Sequence, residues 1–577
     1  MQNNKNVLLA TVLSAFVLLS WTWFYEKPRI EKREREERAI AAKVSANLTA
    51  QKADEAPSKA ALPNEAGAAI VATKSRDEIL QAEKKNRVKI QNENLHGSVS
   101  LVGARFDDLI LANFYVKPKS SEEVVLFSPS QSKERYFADF GWISSDAALD
   151  LPKPSTLWKS SGEELTPKNP IILSWKNAQN VEFLIKISLD ENYVFEVEQL
   201  VKNHSRKEIS LAPYGRINRA LNNVQKSNYI LHEGAIGVFG GVLFEASYSD
   251  LLKEKSQEFS VENGGWLGIT DKYWLSSMIP DKKLSYGAKF NRDFVNRSNL
   301  FSSEFIGQEF KIAPQDELKF NHELFAGAKK INLLDEYAAK YDIALFDRAV
   351  DFGWFYFLTK PFLFIIDFLS KFFGNFGLAI LAMTVLVKLA LFPMANKSYA
   401  AIARMKKLQP KIEELRARFK DDKLAMNRET IELYKREKIN PASGCLPILI
   451  QIPVFFALYK VLFVTLDMRH AEFYGWIHDL SAPDPTSIFN LFGLLPFEVG
   501  GAFRIGVWPI LMGVTMIIQQ KLNPSSSDPT QAKILKWMPY ILTFVLASFP
   551  AGLVIYWTWS NTLSILQQWV ITKKLQK

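Results

Sequence analysis

The residue in this chain with the most chemistry open to it is an ammonium inside an apolar run. Lys388 lies in LAILAMTVLVKLALFP, Leu378 to Pro393, and is the only charge in that stretch. A lysine at bilayer depth costs roughly 2.5–3.5 kcal/mol on insertion scales, so its presence needs a physical reason. Two readings are open. The run ends nearby at Pro393, so the four-carbon stem can snorkel to the headgroups. Alternatively, Lys388 faces a wet, polar cavity in a helix bundle, where a cation attracts acidic groups. Thr384, one turn earlier on the same helical face, extends that reading to a short polar stripe.

Other chemistries find little support. No GxxxxGK[ST] phosphate loop occurs, so nucleotide-driven work is not expected. The six histidines (His96, His204, His232, His322, His470 and His478) have no HxxxH or HxH spacing, so neither a metal nor another cofactor is expected. Cys445 is the only cysteine, which precludes an intramolecular disulfide. No carboxylate pair or His–Glu constellation stands out, and the chain is not expected to be an enzyme. The net charge of +10 contains no like-charge arm, so it is assigned to membrane topology rather than to nucleic-acid binding. Asn203-His204-Ser205 fits a glycosylation sequon, a short motif with little weight by itself.

The elements that must position Lys388 follow from hydrophobic patterning. At 577 residues the chain exceeds one ordinary domain. Residues 1–25 read as a transmembrane signal anchor, because the apolar stretch from Val7 to Tyr25 is followed by no small-x-small cleavage site. Residues 26–86 read as a flexible linker with too few large apolar residues for a core. From 87 to 350 the period is two. Val181–Leu189 and Tyr193–Glu198 alternate about a turn at Asp190, Glu191 and Asn192, and further strands are expected at 98–102, 109–116, 171–175, 209–213 and 309–312. Many short strands argue for a large β-sandwich, followed by a helical connector over about 329–349. Residues 351–374 read as an amphipathic interfacial helix, with Lys360, Asp367 and Lys371 on one face. Residues 375–577 read as a core with transmembrane helices at about 375–394, 446–466, 505–520, 537–549 and 552–571. A basic helical hairpin at 396–440, kinked near Pro410, follows the first of them. The fold class is therefore a polytopic α-helical membrane protein with a large extracytoplasmic β-sandwich domain.

Orientation follows from Lys and Arg counts. The hairpin holds thirteen basic residues, whereas Asp467–Arg504 holds only Arg469 and Arg504. The hairpin, the Lys521–Lys536 loop and the Lys573–Lys577 tail are expected in the cytoplasm, with both termini inside and the β domain outside. The basic block after Tyr25 points the other way, but it is interleaved with acids.

Several segments carry a family resemblance. LQPKIEELR (Leu408–Arg416), NPASGCLPILIQIPVFFALY (Asn440–Tyr459), WIHDLSAPDP (Trp476–Pro485) and the proline-punctuated Lys521–Pro539 resemble the bacterial YidC family of membrane protein insertases. GWLGITDKYWLSSMIP (Gly265–Pro280) is similar to the periplasmic domain of its Gram-negative members. The resemblance covers the chain apart from the linker. It implies a five-helix core around a hydrophilic groove open to cytoplasm and lipid, in the bacterial inner membrane. Lys388 would be the groove's charge, with Thr384 and Gln519 or Gln520 lining it, and Tyr556 and Trp557 would form a slide for the client's hydrophobic segment. Implied partners are client membrane proteins, the Sec translocon, the ribosome, signal-recognition targeting factors and membrane lipids. Two departures stand out: lysine replaces the family's usual arginine at 388, and Asn490–Arg504 is longer than the common pattern. A secondary transporter and a membrane-anchored sugar-binding protein are the competing classes, the first lacking a visible repeat and the second resting on fold alone.

Overall fold

The computed structural model describes residues 62, 74–221, 224, 231–295, 298–353, 355–419, 422–437, 446–495, 505–523 and 529–576. The expected anchor, 1–25, lies outside them, as does most of the linker. The described residues form two compact units, one within 39–351 and one within 352–577.

In the first unit, alternation becomes pairing. Val181–Leu189 buries every second residue and pairs antiparallel with Val194–Asn203, from Phe195 opposite Leu189 to Asn203 opposite Val181. Asp190 closes the turn by accepting the Asn192 and Val194 N–H groups, each at 2.9 Å. Glu317–Ala328 adds to the other edge of Val194–Asn203 in a nine-stranded sheet. An eleven-stranded sheet centres on Ile209–Leu221, between Tyr136–Ile143 and Ser298–Gly307. Phe106 meets Phe195 and Trp142 meets Phe183, each at 5.2 Å between ring centroids, across the core between the sheets.

The strand expected at 209–213 runs on to Leu221. Pro213 falls where its neighbour on one side changes from Phe310–Ile312 to Ser298–Gly307, a junction at which a missing N–H is tolerated. Asn203 is fully buried and its amide donates to the carbonyls of Lys207, Ile312 and Ala313 at 2.8, 2.9 and 3.1 Å, so the sequon match is a structural clamp. Order begins before residue 87. Helix α1 (Arg76–Ala82) is started by a reciprocal Ser75–Glu78 capping box and buries Ile79. Helix α2 spans Tyr248–Glu254, and the connector contains α3, Ile331–Lys340.

The second unit contains α4 (Tyr356–Phe373), α5 (Phe376–Ala390), α6 (Phe392–Lys407), α7 (Gln409–Arg418) and α8 (Lys423–Arg436). These are followed by α9 (Leu446–Val464), α10 (Val507–Leu522), α11 (Pro529–Leu546) and α12 (Ala551–Gln576). In α4, Thr359, Phe362, Leu363 and Ile366 are buried while Phe357, Phe368 and Phe372 are exposed. Asp367 and Lys371 pair at 2.8 Å between those two faces. The span expected to reach 394 stops at Ala390, where the chain bends by 70° and Pro393 opens α6. The hairpin's first arm breaks at Leu408, with Pro410 in the first turn of α7. Among the described residues no single helix is both long and apolar enough to cross a membrane. The bent pair α5–α6 qualifies by length and composition, and Gln451–Val464 is a shorter apolar helix.

Candidate functional site

Lys388 lies in the last turn of α5, a helix started by Asn375, whose side chain accepts the Leu378 N–H at 3.0 Å. Its ammonium points at two other helices rather than along its own. Nζ donates to Ser564 Oγ of α12 at 2.8 Å and to Gln451 Oε1 of α9 at 3.3 Å. Gln451 Nε2 in turn donates to Tyr556 Oη at 3.0 Å. Hydrogen bonds to a charged group contribute roughly 1.5–3 kcal/mol each. Two of them are of the size of the roughly 2.5–3.5 kcal/mol that a lysine costs at bilayer depth, and the ammonium is directed at neighbouring helices. Among the described residues no carboxylate pairs with it.

Of these groups Lys388 and Gln451, but neither Ser564 nor Tyr556, border a cleft of about 30 Å³, which widens to about 370 Å³ when the space open to the exterior is included. Leu391, Met394, Ala395, Tyr399 and Gln567 complete its walls. The 70° bend after Ala390 turns α6 away from the axis of α5, and Met394 and Tyr399 of α6 line the cleft. Gln567 Nε2 donates to Asn396 Oδ1 at 3.3 Å, tying α12 to α6 beside it.

The remaining expected site residues divide. Thr384 is almost fully buried, and its hydroxyl donates to the Ile380 carbonyl of its own helix at 2.7 Å; it is not in the cleft wall. Gln519 and Gln520 are half-buried near the end of α10 and are also outside that wall. Tyr556 is only 3% exposed, so its hydroxyl joins the network while its ring is packed in the bundle. Trp557 is half-buried, its ring 4.7 Å from that of Phe455. Sequence reasoning missed Gln451, Ser564, Gln567 and Asn396. A signal existed in α12, where Tyr556, Ser560, Ser564 and Gln568 recur every fourth residue and all are buried.

Comparison with known proteins bears on this arrangement. The family model of the 60Kd inner membrane protein matches residues 368–577, and that of the YidC periplasmic domain matches 87–365. The Rickettsia bellii membrane protein insertase YidC is 47% identical over 99% of this chain and 100% of its own length. The chain belongs to the YidC family of membrane protein insertases. The Rickettsia akari member is 46% identical, again over 99% of this chain and 100% of its own. A solved active YidC insertase with its first transmembrane domain resolved covers 83% of this chain and 92% of its own, at a TM-score of 0.35 and 17% identity. A galactose mutarotase-related enzyme from Lactobacillus acidophilus covers 42% of this chain and 97% of its own, at a TM-score of 0.28 and 12% identity. Neither structural likeness is close enough to bear on chemistry. Family membership makes the chain an inner-membrane protein with a periplasmic β domain. In this YidC-family chain, the cation at the cleft is a lysine held by neutral partners.

Proposed function

We propose that the cleft receives the polar flank of a client membrane protein while the client's hydrophobic segment passes into lipid. The observation that carries this reading is the Lys388 ammonium, held by Gln451 and Ser564 with no carboxylate against it among the described residues. Lysine has three donors, so one is left to a guest. An acidic residue in the client tail is the natural acceptor. A wet cleft shortens the apolar distance that a tail must cross, and partitioning of the client helix into lipid supplies the free energy. No covalent bond is made or broken. Thr384, Gln519 and Gln520, which lie outside the wall of this cleft, are proposed as groove residues that a client meets beyond it, and the half-buried Trp557, with Tyr556 packed behind it, as the surface along which the client helix leaves.

The proposed architecture has five spans after the N-terminal anchor, both termini and the basic hairpin in the cytoplasm, and α4 in the interface. The length of α12 supports a crossing: its 26 residues extend about 39 Å, against a hydrocarbon core of about 30 Å. Its mean hydropathy is lowered by the Ser560, Ser564 and Gln568 stripe, which is buried against neighbouring helices rather than turned to lipid. The proposed partners are the clients, membrane lipids, the Sec translocon, and the ribosome and targeting factors that would approach the hairpin. Nucleic acid is not among them.

Depletion of the protein, followed by protease mapping of short membrane proteins with small translocated domains, tests the proposal. Clients left accessible only from the cytoplasmic side are the expected result. Normal insertion under depletion would favour a transporter or a sugar-binding role.

A further inference from the structure

The connection between α9 and α10 carries an apolar surface that the cleft does not use. From Pro485 to Phe497 the sequence PTSIFNLFGLLPF has no charged residue, with Asp484 before it and Glu498 after it. Ile488, Leu491, Phe492, Leu494 and Leu495 are all exposed, Leu494 by 82%. Such a run would ordinarily fold its side chains inward, and here the backbone prevents it. Leu491 and Phe492 adopt left-handed conformations in succession, with φ of +50° and +58°, a region disfavoured for bulky L-residues.

The loop is anchored at its base. The buried Asp484 accepts the Trp508 N–H at 2.9 Å, and Thr486 Oγ1 accepts the Val507 N–H at 3.0 Å, fastening one strand of the loop to the start of α10. Ile488 N–H donates to the Ile505 carbonyl at 3.0 Å and closes the neck. Within the loop, the N–H groups of Phe492, Leu494 and Leu495 donate to the carbonyls of Ser487, Leu491 and Asn490 at 2.7, 3.3 and 3.1 Å. These three amides are therefore satisfied within the loop, which lowers the cost of moving it out of bulk water into the interfacial zone, short of the hydrocarbon core.

We propose that this loop inserts into the boundary between headgroups and acyl chains, in the leaflet that meets the N-terminal end of α10, with phospholipid as its ligand. Continuity supports lipid as the occupant. The exposed Leu511, Val514 and Ile518 form one stripe along α10 at spacings of three and four, leading away from the loop. Tyr474 and Trp476, exposed by 63% and 40% in the same connection, are of the residue types that settle at headgroup depth. The loop then fixes the depth of one end of α10. The proposal rests on the membrane-embedded reading above, and its test separates the two.

Full-length Cys445→Ser protein carrying Leu494→Cys, Leu491→Cys, Val514→Cys or Glu472→Cys is labelled with an environment-sensitive fluorophore and reconstituted in phosphatidylethanolamine–phosphatidylglycerol vesicles. The expected result is blue-shifted emission at 494 and 491, strong quenching by lipids brominated near the headgroup, and protection from aqueous iodide. Val514 should be quenched by more deeply brominated lipid and Glu472 by iodide. Iodide quenching at 494 and 491 equal to that at 472, with 514 still lipid-quenched, overturns the loop proposal alone. A blue shift that disappears on dilution in lipid assigns the loop to a second copy and also overturns it. Absence of lipid quenching at every site overturns both readings.

Discussion

An ammonium held by a hydroxyl and an amide has no carboxylate against it among the described residues and can pair with a guest, and Lys388 is so held. At about 4 Å in bulk water an ion pair is worth roughly 1 kcal/mol, about a fivefold effect, which sets the scale for a guest carboxylate at Lys388. Lys388→Arg is therefore expected to retain most insertion activity. Lys388→Ala should reduce insertion of clients with acidic tails by about fivefold and leave neutral-tailed clients nearly unaffected. Lys388→Glu should reduce the acidic-tailed clients further. The measurement is insertion of a client pair that differs only in tail acidity, and equal losses for both members would remove the electrostatic role. A second residue-scale expectation concerns neighbours on Glu317–Ala328. Burial pushes the His322 imidazole down from 6.5 to about 4. Burial, with Glu196 and Asp281 nearby, pushes the Glu323 carboxyl up from 4.5 to about 7. Below about 6.5 the unfolded chain takes up a proton at 322 that the folded strand refuses until about 4, so that group lowers stability as pH falls. Above about 4.5 the unfolded chain releases a proton that folded Glu323 retains to about 7, so that group lowers stability as pH rises. The two oppose each other over one window. His322→Gln should leave stability falling with pH there, and Glu323→Gln should leave it rising. Thermal unfolding in detergent, followed by β-sheet circular dichroism from pH 4 to 7, reads both slopes; parallel curves for the two variants would contradict the assignment.

Strand order brings together charges that local spacing does not. Arg105, Asp139, Arg216, Glu304, Lys289 and Glu258 stand directly opposite one another across six successive strands of the larger sheet, alternating in sign. At its centre Arg216 grips Asp139 with Nε and Nη2, at 3.2 and 3.0 Å, and both side chains are buried. Removing one member of a buried pair leaves an uncompensated charge, roughly a 3–5 kcal/mol loss. Arg216→Leu should therefore lower the unfolding temperature of the β domain sharply, and adding Asp139→Leu should recover most of the loss. If the double variant is no better than the single one, the pair's cost lies in packing rather than charge. This ladder was not legible in the sequence, because its members are drawn together from strands far apart in the chain. By contrast, the Val181–Asn203 hairpin was legible down to its turn, since alternation and Asp190-Glu191-Asn192 are local signals. The cleft divides in the same way. Lys388 stood out as a lone charge in its run. Its partners Gln451 and Ser564 did not, because a single amide and a serine are ordinary in apolar helices until the packing of α5, α9 and α12 makes them neighbours.

Across the whole molecule, the sidedness of the chain is the expectation on which the insertion mechanism depends. On the proposed mechanism the groove opens on the side that holds the basic hairpin, which lysine and arginine counts predict to be the cytoplasm. Labelling positions must be exposed for the test to report topology rather than burial. Met405 is buried at 7%, whereas Arg404 and Lys406 beside it are exposed. Lys186 is exposed on the β-sandwich, His478 in the α9–α10 connection and Lys574 near the end of α12. In a Cys445→Ser background, single cysteines at 404 and 574 should resist an impermeant maleimide added to spheroplasts and react only after lysis. Cysteines at 186 and 478 should react in intact spheroplasts. The pairs constrain one another: 478 and 574 flank α10, α11 and α12, so opposite labelling requires an odd number of crossings between them. Positions 404 and 478 flank α9, so opposite labelling there requires α9 to cross, although its apolar portion, Gln451–Val464, is short. Same-side labelling of 404 and 478 would make α9 re-entrant. The Gln451 wall of the cleft would then hang from a loop rather than a span, and the five-span architecture would have to be abandoned even if Lys388 kept its role.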